Sequence, residues 1–197
     1  HFPERLIGLH SNMILAGPPE DKTQRENVTA SEAELRETRG DYMRGELAYQ
    51  QIQATKPQSL GYALNDSPAG LAAWILEKFH GWTDMPQGAG GNLDDYFSKD
   101  ELLTNISIYW FSESITSSMR IYYENRAVPQ IKPTGYIDVP TGVALFPAEI
   151  YITPRAWAEA AYDIRHWAQL EKGGHFAALE QTQTYLDELN TFFRLLR

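Results

Sequence analysis

The apolar positions of this chain change rhythm twice, from strand to helix and back to mixed. Leu6-Ile7-Gly8-Leu9-His10 is a short apolar run between Pro3 and Ser11-Asn12, and it predicts a buried strand. Gly17-Pro18-Pro19 ends regular structure. From Thr29 to about Gln53 the chain is rich in helix formers, Ser31-Glu32-Ala33-Glu34 has capping-box spacing, and Thr55-Lys56-Pro57 stops the helix. Ser67-Pro68 predicts an N-cap with proline at the first helical position. Leu71, Trp74, Ile75 and Phe79 then share one helical face. A glycine-rich loop, Gln87-Gly88-Ala89-Gly90-Gly91, follows. Ser98-Lys99-Asp100-Glu101 is a second capping box, opening a helical region through about Glu124. Its aromatics Tyr109, Trp110, Phe111, Tyr122 and Tyr123 suit core packing for the most part.

After Pro133 the period shortens. Gly135 to Leu145 reads as one strand broken by Pro140, Thr153-Pro154 opens a helix containing Trp157, and Ile164 to Leu170 reads as a strand. Gln181 to Leu196 predicts a terminal helix with Leu186, Leu189, Phe193 and Leu196 as its inner stripe. Strand, roughly a hundred helical residues, then strand-helix-strand-helix describes an α/β fold with a helical insertion over a parallel sheet. The segments fall at 1–19, 20–133 and 134–197, with the middle block a helical cap over the strand ends. There is no internal repeat and no low-complexity stretch.

At 197 residues, 43% hydrophobic and 12% aromatic, the chain can bury a sizeable core. The net charge of −9, with no basic stripe, disfavours nucleic acid as a partner. The absence of cysteine excludes disulfides and thiolate zinc sites and fits a cytoplasmic chain. No apolar run reaches the roughly 18 residues of a membrane span. His1 to Asn12 lacks the layout of a signal peptide. No metal or cofactor site is expected, and a homo-oligomer is left open.

Chemistry gathers near the C-terminus. His175, in Gly173-Gly174-His175-Phe176, follows one predicted strand, and Glu149, in Phe146-Pro147-Ala148-Glu149, follows another. In open α/β sheets catalytic groups collect at the carboxyl ends of strands. One helix and one strand separate the two residues, so both side chains fit neighbouring strand ends. A lone Gly-Gly-His reads as an ordinary loop histidine; an acid at this spacing makes a general base the better reading. A carboxylate beside a histidine fixes its tautomer and stabilises the imidazolium formed in proton transfer.

The order acid-then-histidine is that of the last two triad members of an α/β-hydrolase. The resemblance extends to the microsomal-type epoxide hydrolases of that superfamily. It is carried by Thr55-Lys56-Pro57, Ala63-Leu64-Asn65-Asp66-Ser67-Pro68-Ala69-Gly70-Leu71-Ala72-Ala73 and Ile75-Leu76-Glu77-Lys78-Phe79. Leu102-Leu103-Thr104-Asn105, Tyr109-Trp110, Val139-Pro140-Thr141-Gly142 and Gly173-Gly174-His175-Phe176-Ala177-Ala178 continue it, in order, over nearly the whole chain.

The resemblance implies the C-terminal part of an α/β-hydrolase fold with a helical cap. It implies an enzyme that opens epoxides through an aspartyl ester, with uses in detoxification and aromatic hydrocarbon catabolism. His175 matches the family's general base and Glu149 its orienting acid. Tyr49 aligns with the first of two tyrosines that donate to the epoxide oxygen. Tyr122 aligns with the second, and the adjacent Tyr123 is its rival. The expected partners are a small apolar epoxide, water and the N-terminal half of the same enzyme.

The departure from the family is that no nucleophile elbow is present. Asp21, Asp41, Asp66, Asp84, Asp94 and Asp95 all fall in cap or loop context. Together with a beginning at His1-Phe2-Pro3-Glu4-Arg5, this favours a fragment that does not turn over epoxides alone. The alternatives are a haloalkane dehalogenase-like or other α/β-hydrolase, and a non-catalytic fragment or binding module. A dehalogenase would need halide-binding Trp or Asn donors in place of the tyrosines.

Overall fold

The structure is a computed structural model that describes residues 2–86, 91–127 and 135–197. The glycine-rich stretch at 87–90 and the expected segment boundary at 133 lie outside the described residues. The order is β1 (Leu9–Ser11), α1 (Lys22–Glu26), α2 (Ala30–Glu46), α3 (Ala48–Thr55), α4 (Pro57–Asp66), α5 (Pro68–Trp82), α6 (Lys99–Phe111) and α7 (Ile115–Ala127). β2 (Ile137–Leu145), α8 (Arg155–Ala161), β3 (Tyr162–Gln169), α9 (Ala177–Glu180) and α10 (Thr182–Arg194) follow. Two compact units result, one of His1–Met43, Trp82–Asp84 and Pro133–Arg197, the other of Arg44–Gly81 and Met85–Lys132.

The first unit holds a parallel sheet in the order β1-β2-β3. The central strand is β2, and its run from Thr141 to Leu145 is buried throughout. Such a strand is covered on both faces, which is why it reads as a continuous apolar run. Val143 and Leu145 pack with Ile14, Ile152 and Ala158 of α8 on one face. Ala144, between them in sequence, packs with Phe146, Ala177 and Tyr185 on the other, as the period of two requires. Glu32 ties two helices to this body. Its Oε2 accepts from the backbone and hydroxyl of Thr29, and its Oε1 accepts the Arg155 N–H at the start of α8. Burial opposes ionisation of Glu32, but these hydrogen bonds outweigh it and hold the carboxyl below its usual range.

The second unit is helical. Leu64, Leu71, Ile106, Ile115 and Met119 form its core, drawn from α4, α5, α6 and α7. Buried Gln53 accepts from Trp74 Nε1 at 3.1 Å, so a polar group inside the unit is satisfied. Ser67 and Ser98 cap α5 and α6, and Ser98 with Glu101 closes the full capping box.

Several elements differ from the sequence expectation. The strand starts at Leu9 rather than Leu6, because pairing begins at Leu9↔Thr141 and Pro3–Arg5 form a 3-10 turn. The first cap is Thr29 with Glu32, not Ser31 with Glu34. The helix expected to Gln53 divides at Leu47 into α2 and α3. Pro57 both ends α3 and opens α4, since proline is tolerated in the first turn. The long cap helix divides between α6 and α7, where Glu113 turns the chain at φ 53°. Pro140 does not break β2; the ladder absorbs it as a register shift between Ile137 and Pro140. On α10 Leu186 is 45% exposed and fully buried Phe192 takes the central inner position.

Candidate active site

Beyond β2 and β3 the sheet continues as one isolated parallel bridge between Ala148 and Gly174. The residue after each is thereby set beside the other, and these are Glu149 and His175. His175 Nδ1 lies 2.6 Å from Glu149 Oε1. The Glu149 side chain is fully buried, whereas that of His175 is 24% exposed. Glu149 Oε1 also accepts the Ile150 N–H at 2.6 Å, and Oε2 accepts Asn12 Nδ2 at 2.8 Å. Both carboxylate oxygens are therefore occupied by donors, as a buried acid requires. The arrangement puts the Nδ1 proton on the acid's side and leaves Nε2 as the nitrogen available to take a proton.

The backbone on either side is held as firmly. Arg39 donates from Nε to the Glu149 carbonyl at 3.0 Å and from its terminal nitrogen to the Ala148 carbonyl at 2.8 Å. On the histidine side four successive N–H groups find acceptors. Gly173 donates to Asp84 Oδ2, Gly174 to Glu180 Oε2, His175 to the Trp82 carbonyl and Phe176 to Glu180 Oε1. Asp84 N–H also donates to Glu180 Oε2 at 3.0 Å. Burial raises the Glu180 pKa; the three N–H bonds oppose that and the Asp84 charge adds to it. Gly173 has φ 116°, a conformation that L side chains rarely adopt, and a Cβ on Gly174 would strike the Trp82 carbonyl oxygen. The Trp82 ring meets the His175 ring edge-on, with centroids 5.4 Å apart.

In the helical unit, Tyr49 of α3 and Tyr122 of α7 lie ring to ring, centroids 5.7 Å apart at 78°. Burial raises the Tyr49 pKa, and its hydrogen bond with Tyr122 raises it further, so the phenol stays protonated. Lys78 Nζ stands 5.1 Å from the Tyr49 ring centroid and is itself paired with Glu46 and Glu77. Tyr123 is 43% exposed. Of the two rivals, Tyr122 is thus the one beside Tyr49. Within each unit, then, the expected site residues stand in pairs.

Sequence reasoning missed Asn12, Arg39, Asp84 and Glu180. Glu180 lies five residues past His175 and offered a local cue; the others approach from distant chain. Among the described residues no group of His, Asp and Glu could hold a metal ion, and no helix is long and apolar enough to cross a membrane.

No protein-family model matches the chain. Curated relatives do. A Stigmatella aurantiaca protein, provisionally assigned as an epoxide hydrolase, is 40% identical over 200 residues, covering 99% of this chain and 43% of its own. Epoxide hydrolase 1 of Sus scrofa is 43% identical over 157 residues, covering 77% of this chain and 35% of its own. The crystal structure of juvenile hormone epoxide hydrolase from Bombyx mori superposes with a TM-score of 0.80 at 31% identity, covering all of this chain and 51% of that one. The chain spans less than half the length of these curated relatives. With likeness in both sequence and fold, the chain is a homologue of the epoxide hydrolases and has a partial α/β-hydrolase fold.

Proposed function

We propose that these residues serve an epoxide hydrolase that makes vicinal diols through a covalent ester, its nucleophilic aspartate lying on polypeptide beyond the 197 residues. "Complete enzyme" below means that assembly. The observation that carries the reading is the buried Glu149 carboxylate held 2.6 Å from His175 Nδ1. The pairing of two phenols, Tyr49 with Tyr122, supports it.

In the proposed cycle the aspartate attacks an epoxide carbon and the C–O bond of the ring breaks. The departing oxygen takes a proton donated from the tyrosine pair. An epoxide is uncharged and opens to an alkoxide, so phenol donors act mainly as that charge forms. His175 Nε2 then takes a proton from water, and the hydroxide adds to the ester carbonyl. The ester C–O bond breaks, and the leaving alkoxide takes the proton of the carboxylic acid so formed. The diol leaves with the aspartate restored as carboxylate, and the proton held by His175 returns to the tyrosine that gave one in ring opening. Splitting one displacement into two steps is the gain of covalent catalysis. Glu149 keeps the Nδ1 proton in place and stabilises the imidazolium.

In this reading the helical unit of Arg44–Gly81 and Met85–Lys132 serves as the cap, rather than the whole of 20–133, and the substrate class is a small apolar epoxide with water. A cytoplasmic setting fits the acidic, cysteine-free composition. The test is an assay of diol formation from styrene oxide by the complete enzyme and by residues 1–197 alone. Turnover by the first and none by the second is expected. Turnover by residues 1–197 alone would refute the division of the active site.

A further inference from the structure

The four successive amides from Gly173 to Phe176 all donate inward, and two of them end on one carboxylate, Glu180. The Gly174 and Phe176 amides thus make a two-donor seat for one anion. Here the anion is part of the protein. Glu180 grips the backbone on both sides of His175, at Gly174 with Oε2 and at Phe176 with Oε1, at 2.9 and 3.0 Å. Its Oε2 also takes the Asp84 N–H, and Asp84 in turn holds Gly173. The loop therefore cannot shift along the strand direction without breaking bonds to this one side chain. Glu149 fixes how the imidazole is turned, but it does not fix where the backbone beneath it stands.

We propose that Glu180 is a positioning residue for the water-activating step: it holds the His175 backbone at the height from which Nε2 reaches the hydrolytic water. The inference rests on the reading of His175 as the base. A neutral amide is a poor substitute. Glutamine offers one oxygen, and its NH2 must then face N–H groups that need an acceptor, Asp84 and Gly174 together if it takes the Oε2 position. Burial of the carboxylate makes these bonds worth more than at the surface. Misplacing a catalytic group by about 1 Å costs on the order of 100-fold, and losing the partner that orients a metal-bound histidine costs roughly 10- to 100-fold, the scale taken for the histidine here.

The experiment separates the two chemical steps. The complete enzyme and its Glu180→Gln, Glu180→Asp and His175→Ala variants are mixed with styrene oxide in single turnover. Covalently modified protein is then followed by intact mass. Glu180→Gln should gain the adduct at the unmodified rate and lose it about 10- to 100-fold more slowly. Glu180→Asp, which keeps the charge and shortens the reach, should fall between. Because only protein that has formed the adduct is counted, unfolded material does not enter the ratio. If Glu180→Gln fails to fold, Glu180→Asp carries the same comparison. Equal slowing of both steps, or loss of adduct at the unmodified rate, would overturn the positioning role. His175→Ala distinguishes the two claims. If it traps the adduct while the Glu180 variants do not, only the role of Glu180 is lost; if it fails to trap, the reading of His175 fails and takes this one with it.

Discussion

Glu149 and His175 meet at 2.6 Å because Ala148 and Gly174, the residues before them, form a parallel bridge at the very end of the sheet. The geometry of this pair is thus an extension of strand register, one residue past the last bridged pair. Neutralising the acid should leave this register intact and damage the chemistry. Glu149→Gln keeps the size of the side chain but sets its amide nitrogen against Asn12 Nδ2 or the Ile150 N–H, both donors. Neutralising the orienting carboxylate of a triad costs roughly 10⁴-fold in turnover. Ester hydrolysis in Glu149→Gln should fall by a loss of that order, and in Asn12→Ala by about 10-fold. Single-turnover kinetics on the complete enzyme measure both; a Glu149→Gln enzyme within a few-fold of the unmodified rate would refute the role given to the acid.

In the proposed cycle the tyrosine pair serves the other step. Tyr49→Phe and Tyr122→Phe should each slow adduct formation by about 100-fold, or about 3 kcal/mol, and leave adduct breakdown unchanged. Tyr123→Phe, altering an exposed side chain, should change neither rate. Rapid mixing with styrene oxide followed by intact-mass detection reads these rates. An effect at Tyr123 equal to that at Tyr122 would undo the assignment.

How much of this was legible in the chain follows from how local each feature is. The Ser98 box is a four-residue pattern and is found as written. Glu149 and His175 are separated by one helix and one strand, and the βαβ repeat brings them together. Thr29 took the first cap instead of Ser31 because Glu32 also reaches the start of α8, a contact 123 residues away that no window reveals. Asn12 meets Glu149 across 137 residues and Asp84 meets Glu180 across 96. Such contacts depend on strand order and loop geometry. Helical spacing puts Leu186 on an inner stripe with Leu189, Phe193 and Leu196, yet the face of α10 that turns inward is set by Tyr185 and Phe192 against His10.

That His10 carries a stability prediction. His10, Gly142 and His166 lie in register across the three strands, and His166 Nε2 bonds Glu188 Oε2 of α10 at 2.6 Å. Both ring nitrogens of His10 are buried with no hydrogen-bond partner among the described residues. Burial lowers its pKa below the ordinary 6.5, the His166 charge lowers it further and the Glu188 charge opposes them. The unfolded chain therefore binds more protons than the native one once the pH falls below 6.5. Stability should be lost from that point downward until the native His10 itself titrates. Melting temperature should fall between about pH 7.5 and about pH 5.5, and His10→Leu should shrink that fall. At the higher pH His10→Leu should be neutral or stabilising, because it removes unpaired buried nitrogens that cost about 1–3 kcal/mol. Thermal unfolding of both proteins at the two pH values decides this; an unchanged pH dependence in His10→Leu would show that other groups carry it.

The most direct measurement of the central claim is the fate of the ester when the base is removed. The complete enzyme carrying His175→Ala is given excess styrene oxide, and its intact mass is recorded over time. The account predicts that the protein gains the mass of one epoxide per active site and keeps it, while no second equivalent is consumed. Continued diol formation by His175→Ala at the unmodified rate, with no persistent adduct, would contradict it.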